Sequence, residues 1–353
     1  MSGDGSLILE TRPNRVIESL HEVGVHRLPI DPFAGCVGND RYELLDNELS
    51  ATAEALAERV VVTVNSTAIG GGVAEMLPRL LGYERASGID ARWYVLNATE
   101  SFFRITKRLH HRLHGALGDG GELGDAERRT YEGVIESGVQ AVTRVVRAGD
   151  IVHLHDPQVV GLAPTLAAAG AKVIWQLHIG ADCINESSDE AWSFLAPYLE
   201  GVSTFVFSRS AYAPPQLEGR DVRVIAPSVD PFSVKNMPLD DPIAVLCQAG
   251  IVAGSVPSNG RARVVTEGLP SAGERLVLQV SRWDPLKGMV ELVDAAPSMA
   301  LRAHGAHLLL VGPDVESVDD DPEGRDVLAA CRARWAALPD DVRARVHLVS
   351  LPM

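Results

Sequence analysis

Leu278-Gln279-Val280-Ser281-Arg282-Trp283-Asp284-Pro285-Leu286-Lys287-Gly288 is the stretch whose reading decides the fold. Its beginning belongs to a short apolar strand, Leu276 to Ser281, and its end opens an amphipathic run from Gly288 to Ala296 that Pro297 ends or kinks. A strand, a tight turn containing Pro285 and a helix start make a βα unit, whose turn presents backbone N–H groups to an anion. Arg282 and Lys287 add a planar fork and a point charge to that turn, a pair suited to a diphosphate. On spacing alone the two cations read equally well as surface charges of an ordinary βα loop.

The same grammar recurs upstream. Val60-Val61-Val62-Thr63-Val64 is a continuous β-branched run, the mark of a strand covered on both faces in a parallel sheet. It runs into Asn65-Ser66-Thr67 and then Gly70-Gly71-Gly72, ahead of an amphipathic helix from about Val73 to Tyr83. Glycines between strand and helix let backbone approach a ligand closely. Counted from Gly70, the position of the last glycine of a dinucleotide fingerprint holds Glu75, which disfavours an NAD-dependent dehydrogenase. Further strands read at Ala91–Leu96, Ile151–His155, Lys172–Leu177, Thr204–Phe207 and Val222–Ala226, with helices at about Glu43–Arg59, from Phe102, from Asp125 to Arg147 and over Gln158–Ala169. Asp156 and His178 close neighbouring strands, and ligands of open α/β sheets bind beyond such carboxyl ends. A carboxylate and an imidazole there can grip sugar hydroxyls.

The 353 residues suit two domains, and 46% hydrophobic content is enough for sizeable cores. A formal net charge of -15 argues against a broad nucleic-acid surface. Apolar runs fall short of a membrane span and the first residues lack a signal-peptide pattern, so a cytoplasmic protein is expected. Cys36, Cys183, Cys247 and Cys331 are scattered, as expected of reduced, mostly buried thiols. His110 and His114 stand four apart without the Glu of a zinc helix and read as a polar face; no metal site is predicted. Pro227-Ser228-Val229-Asp230-Pro231 reads as an interdomain linker. The division is 1–235, with an irregular lead-in over 1–59, and 236–353, where three strands and two helices read as an incomplete, truncated second domain.

Taken in order, Asn65-Ser66-Thr67, the Gly70–Leu77 phrase, Phe102-Phe103-Arg104-Ile105-Thr106-Lys107, His155-Asp156-Pro157-Gln158, Trp175 to Ile179, Pro227 to Pro231 with Lys235-Asn236, and Ser281 to Gly288 resemble the retaining trehalose glycosyltransferring synthases. These are glycosyltransferases of family 4 with the GT-B fold. The resemblance implies two Rossmann-like domains facing a cleft, an acceptor-side domain followed by a nucleotide-sugar domain. It implies transfer of glucose from a nucleoside-diphosphate glucose, ADP- or UDP-linked, to glucose, giving α,α-trehalose without cofactor or metal. Arg282 and Lys287 would hold the diphosphate, and His178 would touch the transferred glucose. Asn65, Gly70, Gly71, Gly72 and Asp156 would line the donor and acceptor sites. The family's acidic donor motif, two Glu separated by seven residues, is expected beyond Met353. A trehalose phosphorylase-like enzyme using inorganic phosphate and an inactive sugar-binding fragment are the other readings. A homodimer is compatible with all three; nucleic acid and membrane are not expected partners.

Overall fold

The computed structural model describes residues 16–17, 19–69, 71–253, 262–265, 269–317 and 323–352. The chain divides into two compact units, Met1–Ser233 and Val234–Met353.

The first unit is built on one sheet. Its strands are β1 (Val16–Ile17), β2 (Leu20–Val23), β3 (Val60–Asn65), β4 (Asp90–Leu96), β5 (Ile151–His155), β6 (Lys172–Leu177), β7 (Thr204–Phe207) and β8 (Val222–Val224). They lie in the order β1-β2-β4-β3-β5-β6-β7-β8. From β4 to β8 every pairing is parallel, whereas β1 and β2 join antiparallel at the β4 edge. The valine run of β3 explains itself in this setting: Val62 and Val64 point into one core and Val61 packs against the other. The first core holds Phe102 and Leu109 of the helix Glu100–Leu113, Ile135 of the helix Asp125–Val142, and Trp175, Phe205 and Phe207 of the strands. The second, smaller core sets Leu77 and Leu81 of the helix Gly72–Ala86 against Ala91, Trp93 and Val95 of β4. Each fully buried large apolar side chain stabilises this layering by about 1.5–3 kcal/mol.

Three local readings differ from the sequence expectation. The lead-in contributes β2 to the sheet, and its helix runs over Asn39–Ala55, starting where Gly38 takes a positive φ of 82°. The single helix expected over Gln158–Ala169 is broken into Asp156–Val159, a tight turn Val160–Leu162 and Ala163–Ala168. Pro157 and Pro164 donate no N–H and bracket that break. Only Cys247 and Cys331 are buried; Cys36 and Cys183 are exposed, and all four are unbridged.

The linker segment is held to the first unit. Asp230 accepts from Arg79 and lies 3.2 Å from the Tyr83 hydroxyl, while Phe33 packs edge-on against Tyr83 and Phe232.

The second unit carries β9 (Arg263–Val265), β10 (Arg275–Val280), β11 (Ala306–Pro313) and β12 (Val346–Leu351) in the order β10-β11-β12-β9. β10, β11 and β12 are parallel and β9 is antiparallel. The sequence reading omits β9 and the helix Pro242–Ala249, which Asp241 caps by accepting from the Ala244 N–H at 2.9 Å. That helix supplies Cys247 to a core with Leu309, Val311 and Val349, and the opposite face packs Met289, Val293, Leu308, Leu310 and Cys331. Among the described residues β10 ends the sheet, and Val277, Leu278 and Val280 are 48%, 47% and 66% exposed. No helix among the described residues is long and apolar enough to cross a membrane.

Candidate active site

β3 is the strand from which the parallel sheet is wound both ways: β4 lies on one side of it and β5 on the other. In open α/β sheets ligands bind where the winding reverses, beyond the carboxyl ends of the strands, here those of β3 and β5. Asn65 closes β3 and His155 closes β5. The register pairs Thr63 with His153 and His155 with Gln176, so these polar side chains share one face of an otherwise apolar sheet.

Asn65 is buried, and both ends of its amide are engaged by the protein. Its Oδ1 accepts from Trp93 Nε1 at 2.8 Å and its Nδ2 donates to the Thr67 carbonyl at 2.6 Å. The Thr67 hydroxyl in turn donates to the Ile69 carbonyl at 2.6 Å. Asn65 therefore shapes the loop that leaves β3. Gly70 lies outside the described residues. Gly71 is extended (φ −140°, ψ 161°) and Gly72 opens the fifteen-residue helix Gly72–Ala86. A Cβ at either glycine would meet nothing within 4 Å, so the protein's own packing does not demand glycine there. The first intrahelical bond is donated by Glu75 to the Gly71 carbonyl, and by helix geometry the N–H groups of residues 72–74 precede it.

Asp156 follows β5 with φ +62°, one of two non-glycine residues with positive φ among those described. Asp tolerates this region better than most residues, and such conformations persist where surroundings hold them. Here two hydrogen bonds do so. The Asp156 carbonyl accepts from Trp175 Nε1 at 2.9 Å, and its Oδ1 accepts from the His178 N–H at 2.9 Å. His155 Nδ1 and His178 Nε2 are 2.9 Å apart, with the rings stacked at 5.2 Å and 10°. The Ser208 hydroxyl donates to the His178 carbonyl at 3.3 Å. The structure thus brings Asn65, Asp156 and His178 to one end of one sheet, as their positions at strand ends predict.

Two residues at this end were not legible as site residues, His153 and His155. Their rings lie 4.2 Å apart. Burial pushes His153 down to about 4 and His155 well below the ordinary imidazole value, with neighbouring imidazoles adding to the effect. Both are neutral at pH 7. The available signal was two polar residues at i, i+2 inside a buried apolar strand, which places both on one face. The arrangement places a carboxylate, imidazoles and the N–H groups of a helix start at one end of one sheet, groups that can hydrogen-bond a polyhydroxylated ligand.

Arg282 and Lys287 belong to the second unit. Their loop is anchored by its apolar and acidic members. Trp283 is buried and donates from Nε1 to the Pro313 carbonyl at 2.9 Å. Asp284 is buried and its Oδ1 accepts from the Leu286 N–H at 2.8 Å. Gln279 Nε2 donates to the Lys287 carbonyl at 2.8 Å. Gly288 does not itself begin the helix; with φ +67° it joins the tight turn Pro285–Lys287 to the helix Met289–Ala295. Arg282 is partly exposed and Lys287 exposed. His110 and His114 lie with rings 4.9 Å apart, and among the described residues no three His, Cys, Asp or Glu side chains converge as a metal requires.

The family model "Trehalose synthase, N-terminal domain" matches residues 63–214. A trehalose synthase of Rubrobacter xylanophilus is 31% identical over 300 residues, covering 81% of this chain and 64% of the relative. One of Thermococcus litoralis is 30% identical over 298 residues, covering 84% and 64%. The chain therefore spans about two thirds or slightly less, 64%, of the length of these relatives. Among solved structures, an E. coli protein of trehalose-6-phosphate synthesis bound with UDP-2-fluoro glucose is similar with a TM-score of 0.58 at 14% identity, covering 82% of this chain and 73% of that one. That likeness is one of fold, the GT-B type.

Proposed function

We propose that the protein is a retaining hexosyltransferase making α,α-trehalose from a nucleoside-diphosphate glucose and glucose, a reading supported by the match of residues 63–214 to the model of the trehalose synthase N-terminal domain. The observation that carries the reading is the placing of Asn65, Asp156 and His178 at the carboxyl ends of β3, β5 and β6, in the sheet that the family model matches. In the reaction the glucosyl C1–O bond to the diphosphate breaks. A C1–O bond to the acceptor hydroxyl forms on the same face, and the acceptor proton passes to the departing phosphate oxygen. The first unit takes the acceptor side in this reading. Asp156 binds sugar hydroxyls, and His178 lies against the transferred glucose. Gly71 and Gly72, which the fold does not require, leave room for a ligand at the helix start, and Gly70 extends the same phrase. Arg282 and Lys287 of the second unit neutralise the diphosphate, an electrostatic task that needs no metal.

The test is proton NMR of the anomeric region with the 353-residue chain, glucose and ADP- or UDP-glucose. A growing α,α-trehalose signal with one donor establishes transfer, retention and the nucleotide. Turnover of trehalose only with inorganic phosphate would move the protein to the phosphorylase reading. No turnover by a folded chain would leave sugar binding alone. In an active protein, transfer undiminished by Arg282→Ala would remove that residue from the diphosphate site.

A further inference from the structure

Two imidazoles, the buried His155 and the partly buried His178, meet at the end of β5 and β6. His155 is 1% exposed, and its Nδ1 is 2.9 Å from His178 Nε2. Its other nitrogen, Nε2, is buried without a hydrogen-bond partner. A neutral His155 has one N–H to place. On Nε2 that N–H would be a buried donor with no acceptor, the costlier kind of orphan. On Nδ1 it lies within hydrogen-bond distance of His178 Nε2, and what remains buried is a bare lone pair. We infer that His155 donates from Nδ1 to His178 Nε2 and so holds His178 as the tautomer whose proton is on Nδ1. His155 is thereby a positioning residue, acting through His178.

The consequence is chemical. A hydrogen bond made by one ring nitrogen decides what the other can do. With Nε2 occupied as an acceptor, His178 offers an N–H and no second lone pair, so toward a sugar it is a donor to oxygen and not a general base. The ring is held by His155 and the backbone by Asp156 Oδ1, two restraints on one residue. Gln176 and His153 complete the wall around His155: Gln176 pairs with His155 across the strands, and the His153 ring lies 4.2 Å away. The role assigned to His178 in sugar transfer rests on the proposed function; the tautomer does not.

The experiment is long-range nitrogen–proton NMR of the histidine rings in the 353-residue chain, labelled with 15N-histidine, with His178 assigned by loss of its signals in His178→Gln. The expected pattern for His178 in its neutral form is a protonated Nδ1 and a bare Nε2. A protonated Nε2 would overturn the inference. His155→Asn keeps an N–H donor near the Nδ1 position and is expected to retain the pattern. His155→Leu removes the donor and is expected to shift His178 toward the other tautomer. An unchanged His178 in His155→Leu would also overturn it; should that variant not fold, wild type and His155→Asn decide. In the transfer reaction His155→Leu is expected to lower kcat about ten- to hundredfold with little change in KM, the scale of a lost orienting partner. A protonated Nδ1 in a chain that makes no trehalose would retain the positioning and retire the functional reading.

Discussion

Replacing Asp156 in three ways separates its backbone from its carboxylate. The residue sits at φ +62° and gives its Oδ1 to the His178 N–H at 2.9 Å. Alanine loses on both counts. It tolerates the left-handed region less well, a cost of up to about 1–2 kcal/mol. It also leaves a partly buried N–H without its acceptor, about 1–3 kcal/mol. The expected loss is therefore about 2–5 kcal/mol. Asparagine keeps the conformation and a carbonyl acceptor, giving up only the charge assistance, about 1 kcal/mol. Glycine relieves the backbone and loses the acceptor, so it falls between them. The assay is urea titration of the 353-residue chain read by hydrogen exchange of the β5 and β6 amides, which follows the first unit by itself. The expected order of stability is Asp, Asn, Gly, Ala. An alanine variant as stable as the asparagine one, or a glycine variant below alanine, would refute the reasoning.

Two further perturbations test packing and charge away from that residue. A Cβ on Gly312 would come within 2.5 Å of the Trp283 indole, so Gly312→Ala is expected to cost about 1–3 kcal/mol in overpacking. It should also shift the Trp283 indole N–H resonance, because the bond to the Pro313 carbonyl cannot survive the displacement; an unmoved resonance would show that the loop does not rest on Trp283. Burial raises the Glu84 carboxyl to about 7, and its Oε2 has no hydrogen-bond partner. The folded chain then binds the extra proton between the unfolded value near 4.5 and about 7, so this group's contribution to stability is full below that window and falls as pH rises through it. Glu84→Gln is expected to gain stability relative to wild type by up to about 3 kcal/mol above pH 7. The gain should vanish near pH 4, measured as paired urea midpoints across pH; a gain independent of pH would disprove the titration.

Much of the first unit was legible because its physics is local. A valine run such as Val60 to Val64 has no good home other than a strand covered on both sides, and strand ends such as Asn65, Asp156 and His178 follow once the runs are placed. What escaped depends on partners distant in the chain. β2 is four residues with one buried side chain, and only its pairing with β4 makes it a strand. His153 and His155 look like strand filler until the register sets them beside Thr63 and Gln176. Asn65 carries the right chemistry for a sugar, yet Trp93, twenty-eight positions away, already occupies its carbonyl. In the second unit the loop from Ser281 to Gly288 was legible as a turn, but not the indole that holds it down, since Gly312 lies on another strand.

The edge that β10 forms among the described residues has a colloidal side. Val277, Leu278 and Val280 offer an apolar strand to any similar edge that approaches, while a net charge of -15 keeps identical copies apart. The two influences act over different ranges. Repulsion works at a distance and is cut to about 8–10 Å by ordinary salt. The attraction acts only on contact and weakens on cooling. Dilute, cold, low-salt solutions therefore favour dispersed chains, and warm, salted ones bring the edges together. The acidity that first spoke against nucleic acid thus has a second use, as insulation for the exposed apolar side chains of β10.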